Sequence, residues 1–327
     1  MIVKFENLKI KYIVKEGDIN VVDDVTFGVK EGKITALIGE SGSGKSTLVN
    51  AILGVNAPNA KIIENSKIIF KGKNLLDFSP GEMRKFRWQK ASMVFQAAQN
   101  ALNPTLKIRD QLLDTVFDHD ERANKKKTLE KAGRLLEMVR LMPDRILDAY
   151  PHELSGGMRQ RVIIAMALML DPEFIILDEP TTALDVITQS YIFNLLEEIH
   201  KKVGLTMFFI THDVSAVARL AHNIIVMYAG KVFEIASAGV LFRSPGHPYT
   251  QGLLQAIPSI EGDVISRKPV PGAPPDLLHK PPGCVFHPRC YMAENICSRK
   301  EPELVNTGDG HLVACHRWKD AGKVIAT

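Results

Sequence analysis

The stretch "GESGSGKST", Gly39 to Thr47, fits the pattern G-x-x-x-x-G-K-[ST], and the rest of the chain is read outward from it. It follows the continuous apolar run "KITALIG" (Lys33–Gly39) and opens "KSTLVNAIL", whose apolar residues recur at helical spacing. Strand, glycine-rich loop and helix is the context in which this pattern cradles phosphate. Gly39, Gly42 and Gly44 let the backbone turn tightly and approach a ligand with no Cβ in the way. Exposed N–H groups of the loop, those of Ser41, Ser43 and Thr47 among them, are expected to wrap polyphosphate oxygens with a helix N-terminus behind them. Lys45 is placed to reach the β- and γ-phosphates, and the Ser46 hydroxyl to ligate Mg²⁺.

A second stretch completes that chemistry. "FIILDEP" reads as a short buried strand that carries Asp178 to its C-terminal end, where a carboxylate can hold the metal through its water shell. Glu179, next in line, can orient and polarise the attacking water. In-line phosphoryl transfer needs little beyond positioning and charge neutralisation. Gln96, at the end of the strand-like "SMVF", can bridge metal and water, and His212, at the end of "FFIT", offers an imidazole to the γ-phosphate.

The surrounding sequence is that of an α/β protein. "IVKFENLKIKY" and "VVDDVTFGV" alternate with period two, as strands of a half-buried antiparallel sheet do. "FIILDE" and "MFFIT" are short, wholly apolar runs of the kind found in buried parallel strands. The helical pattern from Asp185 to Val203 joins them, a crossover that is right-handed by default. From Ser79 to His152 the pattern is mostly helical with charged faces. Lys125, Lys126 and Lys127, the one dense basic run, read as a solvated helix start.

Composition bounds the remaining choices. The 327 residues carry a formal net charge of +4, too small and too dispersed to argue for nucleic acid. The opening "MIVKFENLKIKY" alternates apolar and charged residues, unlike a signal peptide. The longest apolar run, Val162 to Leu170, is far short of the ~18 residues a membrane-spanning helix needs. A cytosolic chain that meets a membrane only through partners is expected. Of the 18 prolines, 11 lie beyond Ala236, which marks a boundary near residues 236–245 and a loop-rich appendage after it.

"LSGGMRQR" (Leu154–Arg161) adds a family. Together with "GESGSGKST", "FIILDEP", "TALD" (Thr182–Asp185) and "THD" (Thr211–Asp213), in that order and spacing, it resembles the nucleotide-binding subunit of an ABC transporter. The resemblance spans Met1 to about Phe242 and implies a P-loop NTPase of the ABC type: a mixed sheet with helices, an antiparallel β subdomain and a helical subdomain over about 97–157. It implies domains of 1–243 for the nucleotide-binding part and 244–327 for a small loop-rich extension. It also implies a head-to-tail dimer in which each ATP lies between the phosphate loop of one subunit and the LSGGM segment of the other. Ser155, Gly156 and Gly157 precede a helix in this reading, so their amides can donate to a γ-phosphate from across the interface. Carried over by motif, Gln96 is the Q-loop glutamine, Glu179 the catalytic carboxylate, Asp185 the D-loop aspartate and His212 the switch histidine. Tyr12 matches the aromatic that stacks on adenine.

The appendage narrows the subfamily. "LNP" at Leu102–Pro104 and "SPGHPYTQGLLQAIPSI" (Ser244–Ile260) resemble oligopeptide, dipeptide and nickel importer ATPases, although Ala97 and Ala98 depart from the acidic/Pro pair usual there. Tyr249, Leu253, Leu254 and Ile257 make one apolar helix face, expected to pack on the chain's own nucleotide-binding part. All four cysteines lie here, spaced C-x5-C-x6-C-x17-C from Cys284 through Cys290 and Cys297 to Cys315. A reducing cytosol disfavours disulfides. Structural Zn²⁺ stays open, with His287, His311 and His316 as substitute ligands, although the spacing lacks close Cys pairs. Four thiolates also suit a [4Fe–4S] cluster, and the arrangement resembles the extension of dipeptide-importer ATPases that bind one.

The resemblance thus implies an ATPase using ATP and Mg²⁺ that energises an ABC importer from the cytoplasmic face of the cell membrane. Its partners would be a second, different ATPase chain, two membrane-spanning permease subunits and, indirectly, an extracellular substrate-binding protein. Oligopeptides or dipeptides are the expected cargo, with nickel or oligosaccharides sharing the machinery. A soluble ABC ATPase acting on nucleic acid or ribosomes would carry two cassettes or a coiled-coil insertion, and this sequence has neither.

Overall fold

The computed structural model describes residues 1–182, 184–255 and 270–321. β1 (Val3–Val14) and β2 (Gly17–Val29) pair antiparallel, as their alternation predicts. β3 (Ile34–Ile38) is buried at every residue, and α1 (Lys45–Leu53) begins directly after Gly44. The short strands β4 (Ala60–Ile62), β5 (Lys67–Phe70) and β6 (Lys73–Asn74) follow. α2 (Pro80–Phe86) opens on a capping box in which Ser79 and Glu82 satisfy each other's backbone amides. β7 (Ala91–Val94) leads to three helices, α3 (Ile108–Phe117), α4 (Lys125–Met138) and α5 (Pro143–Asp148). The exposed Lys125, Lys126 and Lys127 form the first turn of α4, capped by Asn124, which is the solvated helix start expected of them.

The chain continues through α6 (Gly156–Ala167), β8 (Phe174–Asp178), α7 (Val186–Val203) and β9 (Thr206–Thr211). α8 (Val214–Leu220), β10 (Asn223–Tyr228), β11 (Lys231–Ser237) and α9 (Ala238–Arg243) come next. α10 (Pro248–Gln255), β12 (Val305–Gly308), β13 (His311–Val313) and α11 (Trp318–Ala321) complete the main elements. Among the described residues no helix is long and apolar enough to cross a membrane.

Contacts divide the chain into two compact units. The first comprises Met1–Asp77 and the described residues from Ile210 onward. It holds the antiparallel sheet β2-β1-β5-β6, with β4 also on β1, and the strand sequence β12-β13-β11-β10-β3. β3 and β10 run parallel, while β11 returns antiparallel to β10 and takes β13 on its other edge. The second unit, Phe78–Phe209, carries the parallel pair β7–β8 with most of β9 beside β8, and helices α2 to α7. Phe174 stacks on Phe208, and Phe193 meets Phe209 edge-on, so side chains of α7, β8 and β9 share one core. The helical segment expected over about 97–157 lies inside this second unit.

The segment beyond residue 243 folds as part of the first unit. Tyr249 and Phe286 are fully or almost fully buried and share a core with Ile38, Val226, Tyr228 and Phe233. Leu253 and Leu254 pack against the same cluster, as expected of that apolar helix face, while Ile257 lies outside the described residues. A buried polar tie is made by Glu234 on β11, which is 0% exposed. Its carboxylate accepts from the amides of Gly246 (2.6 Å) and His247 (3.0 Å) and from Nε2 of His311 (2.6 Å). A buried carboxylate is tolerated because each of these donors replaces a bond to water. His247 stacks on Phe233, accepts the Tyr249 amide at Nδ1, and is held neutral by burial, its pKa lowered to about 3.

Removing that carboxylate strands three donors that it now satisfies. Glu234→Ala should cost about 3 kcal/mol in urea unfolding and make the chain beyond residue 243 a preferred site of limited proteolysis. An unchanged unfolding midpoint would show that Glu234 does not anchor the C-terminal segment.

Candidate active site

The loop Gly39–Thr47 has one shape open to it. Gly39 lies at φ 153°, and a Cβ there would fall 2.1 Å from the carbonyl oxygen of Met227. Gly44, at φ 95°, would place a Cβ 2.3 Å from the carbonyl oxygen of Val21. Neither position admits a side chain. Gly42, at φ 78°, has nothing within 4 Å of a built Cβ, so the loop's crest is open where a ligand would lie. Ser41 and Ser46 are exposed, whereas Ser43 and Thr47 are buried. Lys45 is 6% exposed and folds back over the loop. Its Nζ donates to the carbonyls of Gly39 and Glu40, both at 2.8 Å, and to Ser43 Oγ at 3.2 Å. Tyr12, half-buried on β1, hydrogen bonds through its hydroxyl to Thr47 Oγ1 at 2.9 Å, which ties the expected base-stacking aromatic to the start of α1.

The second unit assembles the expected hydrolytic group. β8 ends at Asp178, which is 4% exposed. The chain then bends sharply, with Glu179 at φ 46°, a left-handed conformation that is uncommon for a residue with a Cβ. Glu179 Oε2 accepts from Gln96 Nε2 at 3.1 Å and from Thr182 Oγ1 at 3.0 Å. The strain is therefore accompanied by bonds that aim the carboxylate. Gln96 lies two residues beyond β7, which ends at Val94, one residue short of the expected strand-like "SMVF". Ala97, at φ 53°, turns the chain immediately after it.

The LSGGM segment needs a correction. Only Ser155 precedes α6; Gly156 and Gly157 are its first two residues. Ser155 is the N-cap, its Oγ accepting from the Met158 amide at 3.3 Å, so helical structure begins one residue beyond the cap, as capping chemistry dictates. The amides of Gly156 and Gly157 still belong to the first turn, which lacks intrahelical partners. A Cβ on Gly157 would sit 2.6 Å from Thr188 Cγ2. Asp185 caps α7: its carboxylate accepts from the Thr188 hydroxyl at 2.6 Å and the Thr188 amide at 2.9 Å. Those two bonds hold its carboxyl below the usual range. Val186 and Ile187, which follow, are 79% and 84% exposed, an apolar tip of the kind that contact surfaces use. His212 is exposed at the end of β9, immediately before Asp213, which caps α8.

The four cysteines are free thiols and line one cavity together with His247, Phe286, Met292 and Pro302. Burial pushes Cys284 up to about 11 and Cys315 up to about 12, and raises Cys290 as well. Buried in this way, the sulfurs of Cys284, Cys290 and Cys315 favour the protonated form. Among the described residues no group of three or more His, Cys, Asp or Glu side chains is arranged to hold a metal ion. The expected metal centre therefore has no formed ligand set. His287 bonds the Cys284 carbonyl, His316 the Lys300 carbonyl and His311 the Glu234 carboxylate, so each candidate substitute ligand has another partner.

Several contacts within each unit carry no sequence signal. Glu40 meets Tyr249 and Arg289, which lie 209 and 249 residues further along the chain. Thr182 sits within the quoted "TALD", and only the fold shows that its hydroxyl faces Glu179.

With this geometry in hand, comparison with known proteins is direct. The family described as ABC transporter matches residues 22–182, and that described as oligopeptide/dipeptide transporter, C-terminal region, matches residues 233–297. The dipeptide transport ATP-binding protein DppD of Caldanaerobacter subterraneus subsp. tengcongensis is 44% identical over 98% of this chain and 98% of its own length. The oligopeptide transport ATP-binding protein OppD of Escherichia coli is 39% identical over 95% of this chain and 92% of its own. Among solved structures, the ATP-binding cassette MJ0796 in a dimeric post-hydrolysis state with ADP and Pi superposes with a TM-score of 0.63 at 31% identity, over 72% of this chain and 98% of that one. Likeness of this degree along nearly the whole chain shows that it belongs to the ABC transporter family, as an ATP-binding subunit of the oligopeptide/dipeptide type.

Proposed function

We propose that this chain hydrolyses ATP to power an ABC importer of dipeptides or oligopeptides. The observation that carries the enzymatic part is Glu179, forced into left-handed backbone at a strand end and held there by Gln96 and Thr182. A carboxylate fixed by two donors can accept a proton from water and align it for in-line attack. The loop of Gly39, Ser41, Gly42, Ser43, Gly44, Lys45, Ser46 and Thr47 binds the phosphates, and Lys45 exchanges the carbonyls of Gly39 and Glu40 for phosphate oxygens. The hydroxyl of Ser46, the carboxylate of Asp178 and the amide oxygen of Gln96 are hard oxygen donors of the kind Mg²⁺ takes; they would hold the ion, which would supply charge neutralisation at the phosphates. Tyr12 supports the adenine, Asp185 and His212 serve the γ-phosphate, and Ser155, Gly156 and Gly157 present amides to the ATP of a partner ATPase chain. ATP closes that dimer and hydrolysis opens it, driving two permease subunits from the cytoplasmic face. Extended likeness to DppD and OppD, and the match of residues 233–297, support peptide cargo.

For the cysteines we propose a [4Fe–4S] cluster, a reading that rests on the number and spacing of the four cysteines in the sequence and not on a formed ligand set. Cys284, Cys290, Cys297 and Cys315 face one cavity without closing on one ion. Four thiols with no other cysteine in the chain suit the four irons of such a cluster, with Zn²⁺ as the alternative. A cluster would join the cysteine loops covalently, and its binding energy would add to folding energy.

Glu179→Gln should lower kcat at least about a hundredfold, retain nucleotide binding, and accumulate an ATP-bound dimer in size-exclusion chromatography; undiminished turnover would remove Glu179 from this role. Anaerobically purified protein should be brown, with about four irons per chain, and Cys290→Ser should lose the colour. A colourless preparation containing zinc would end the cluster assignment. With permease and binding protein reconstituted, peptides should stimulate ATP hydrolysis, and stimulation by nickel or oligosaccharide alone would reassign the cargo.

A further inference from the structure

Glu40 is the second residue of the phosphate loop, and all four of its polar atoms are engaged. Its amide donates to the Tyr249 hydroxyl at 2.8 Å, and its carbonyl accepts from Lys45 Nζ at 2.8 Å. Its two carboxylate oxygens accept from Arg289 Nη1 at 2.7 Å and Nη2 at 3.0 Å. Two planar groups bonded side by side fix orientation as well as distance. Arg289 is itself held: Nη1 also donates to the Tyr228 hydroxyl at 3.0 Å, Nε to the Pro271 carbonyl at 2.7 Å, and Nη2 to the Gly272 carbonyl at 3.2 Å. Its guanidinium lies 5.6 Å from the centre of the Tyr228 ring, and its side chain is 9% exposed. The arginine rides on a single helical turn, His287–Arg289, placed between Cys284 and Cys290.

We propose that the C-terminal segment sets the nucleotide affinity of this subunit through Arg289, a positioning residue that clamps the phosphate loop at Glu40. The proposal rests on the reading of Gly39–Thr47 as the ATP site. Two effects act in the same direction. The clamp preorganises the first turn of the loop, so less ordering is left for the ligand to bring about. The guanidinium also cancels a carboxylate that would otherwise repel a triphosphate a few residues away, and a partly buried charge is weakly screened. Tyr249 acts on the backbone side of the same residue, and burial, which raises its pKa, keeps its hydroxyl neutral.

The test measures the Kd of full-length protein for a fluorescent Mg²⁺–ATP analogue, alongside KM and kcat. Arg289→Met should raise Kd and KM about tenfold, the loss expected for a charge-assisted pair, leave kcat within about twofold, and flatten the salt dependence of binding, because salt then screens a repulsion as well as the remaining attractions. Arg289→Lys should recover much of the loss. Glu40→Gln in the Arg289→Met background should bind no more weakly than Arg289→Met alone, because the repelling charge is gone. A lowered melting temperature with unchanged Kd in the folded protein overturns the proposal, as does additive weakening in the double variant. Should Arg289→Met fail to fold, Tyr249→Phe tests the clamp from its other side, with weaker binding expected and unchanged Kd overturning it. Lys45→Ala separates the premises: if it binds the analogue normally, the ATP site itself is misassigned, whereas its loss of binding beside a normal Arg289→Met rejects the clamp alone.

Discussion

Backbone crowding around two glycines governs the phosphate loop, and with it much of the first unit. Carbonyl oxygens of Met227 and Val21 stand where side chains at Gly39 and Gly44 would begin. The loop therefore lies directly against the end of β10 and against β2. That closeness lets the amide of Gly230 donate to the Ser43 carbonyl at 3.1 Å and the amide of Asp23 to the Gly230 carbonyl at 2.9 Å. Backbone groups brought so near must bond one another, because water has no room to serve them. Rigidity of the loop is thus a property of its neighbours as much as of its own sequence.

The C-terminal segment extends the same logic. It is not an independent fold beside the first unit, for its aromatic residues complete the core around Tyr228 and Phe233. Glu234 fixes its entry, β13 adds to the edge of β11, and Arg289 and Tyr249 end at the phosphate loop. A proline-rich stretch with few apolar residues gains stability by joining a core that already exists. The four cysteines lie along this route, one of them adjacent in sequence to Arg289.

Among the described residues of the second unit, Trp88, Ala97, Arg140, Asp171 and Glu179 adopt left-handed backbone, and two of these lie where chemistry is proposed. Glu179 and Ala97 both adopt left-handed backbone, one at the carboxylate and the other immediately after its glutamine partner. Ordinary strand and helix geometry would have carried each side chain in a different direction. The surrounding packing of Phe174, Phe193, Phe208 and Phe209 holds the strands that make the bends possible.

Sequence by itself determined most of the elements and named the candidate site residues. Period-two alternation identified β1 and β2, unbroken apolar runs identified β3, β8 and β9, and the glycine pattern marked the start of α1 at its correct residue. These are local properties, written in a few consecutive side chains. It misjudged where the Gly-Gly pair stands relative to α6, because a serine cap and a helix start differ by one residue in the chain and hardly at all in composition. Tertiary structure alone decided that Glu40 would be held by residues 209 and 249 positions away, that Glu234 would bury its carboxyl group against His311, and that four widely spaced cysteines would share a cavity. Such pairings depend on which distant segments pack together, and that is settled by the shared core and by the need of buried polar groups for partners, neither of which is visible along the chain.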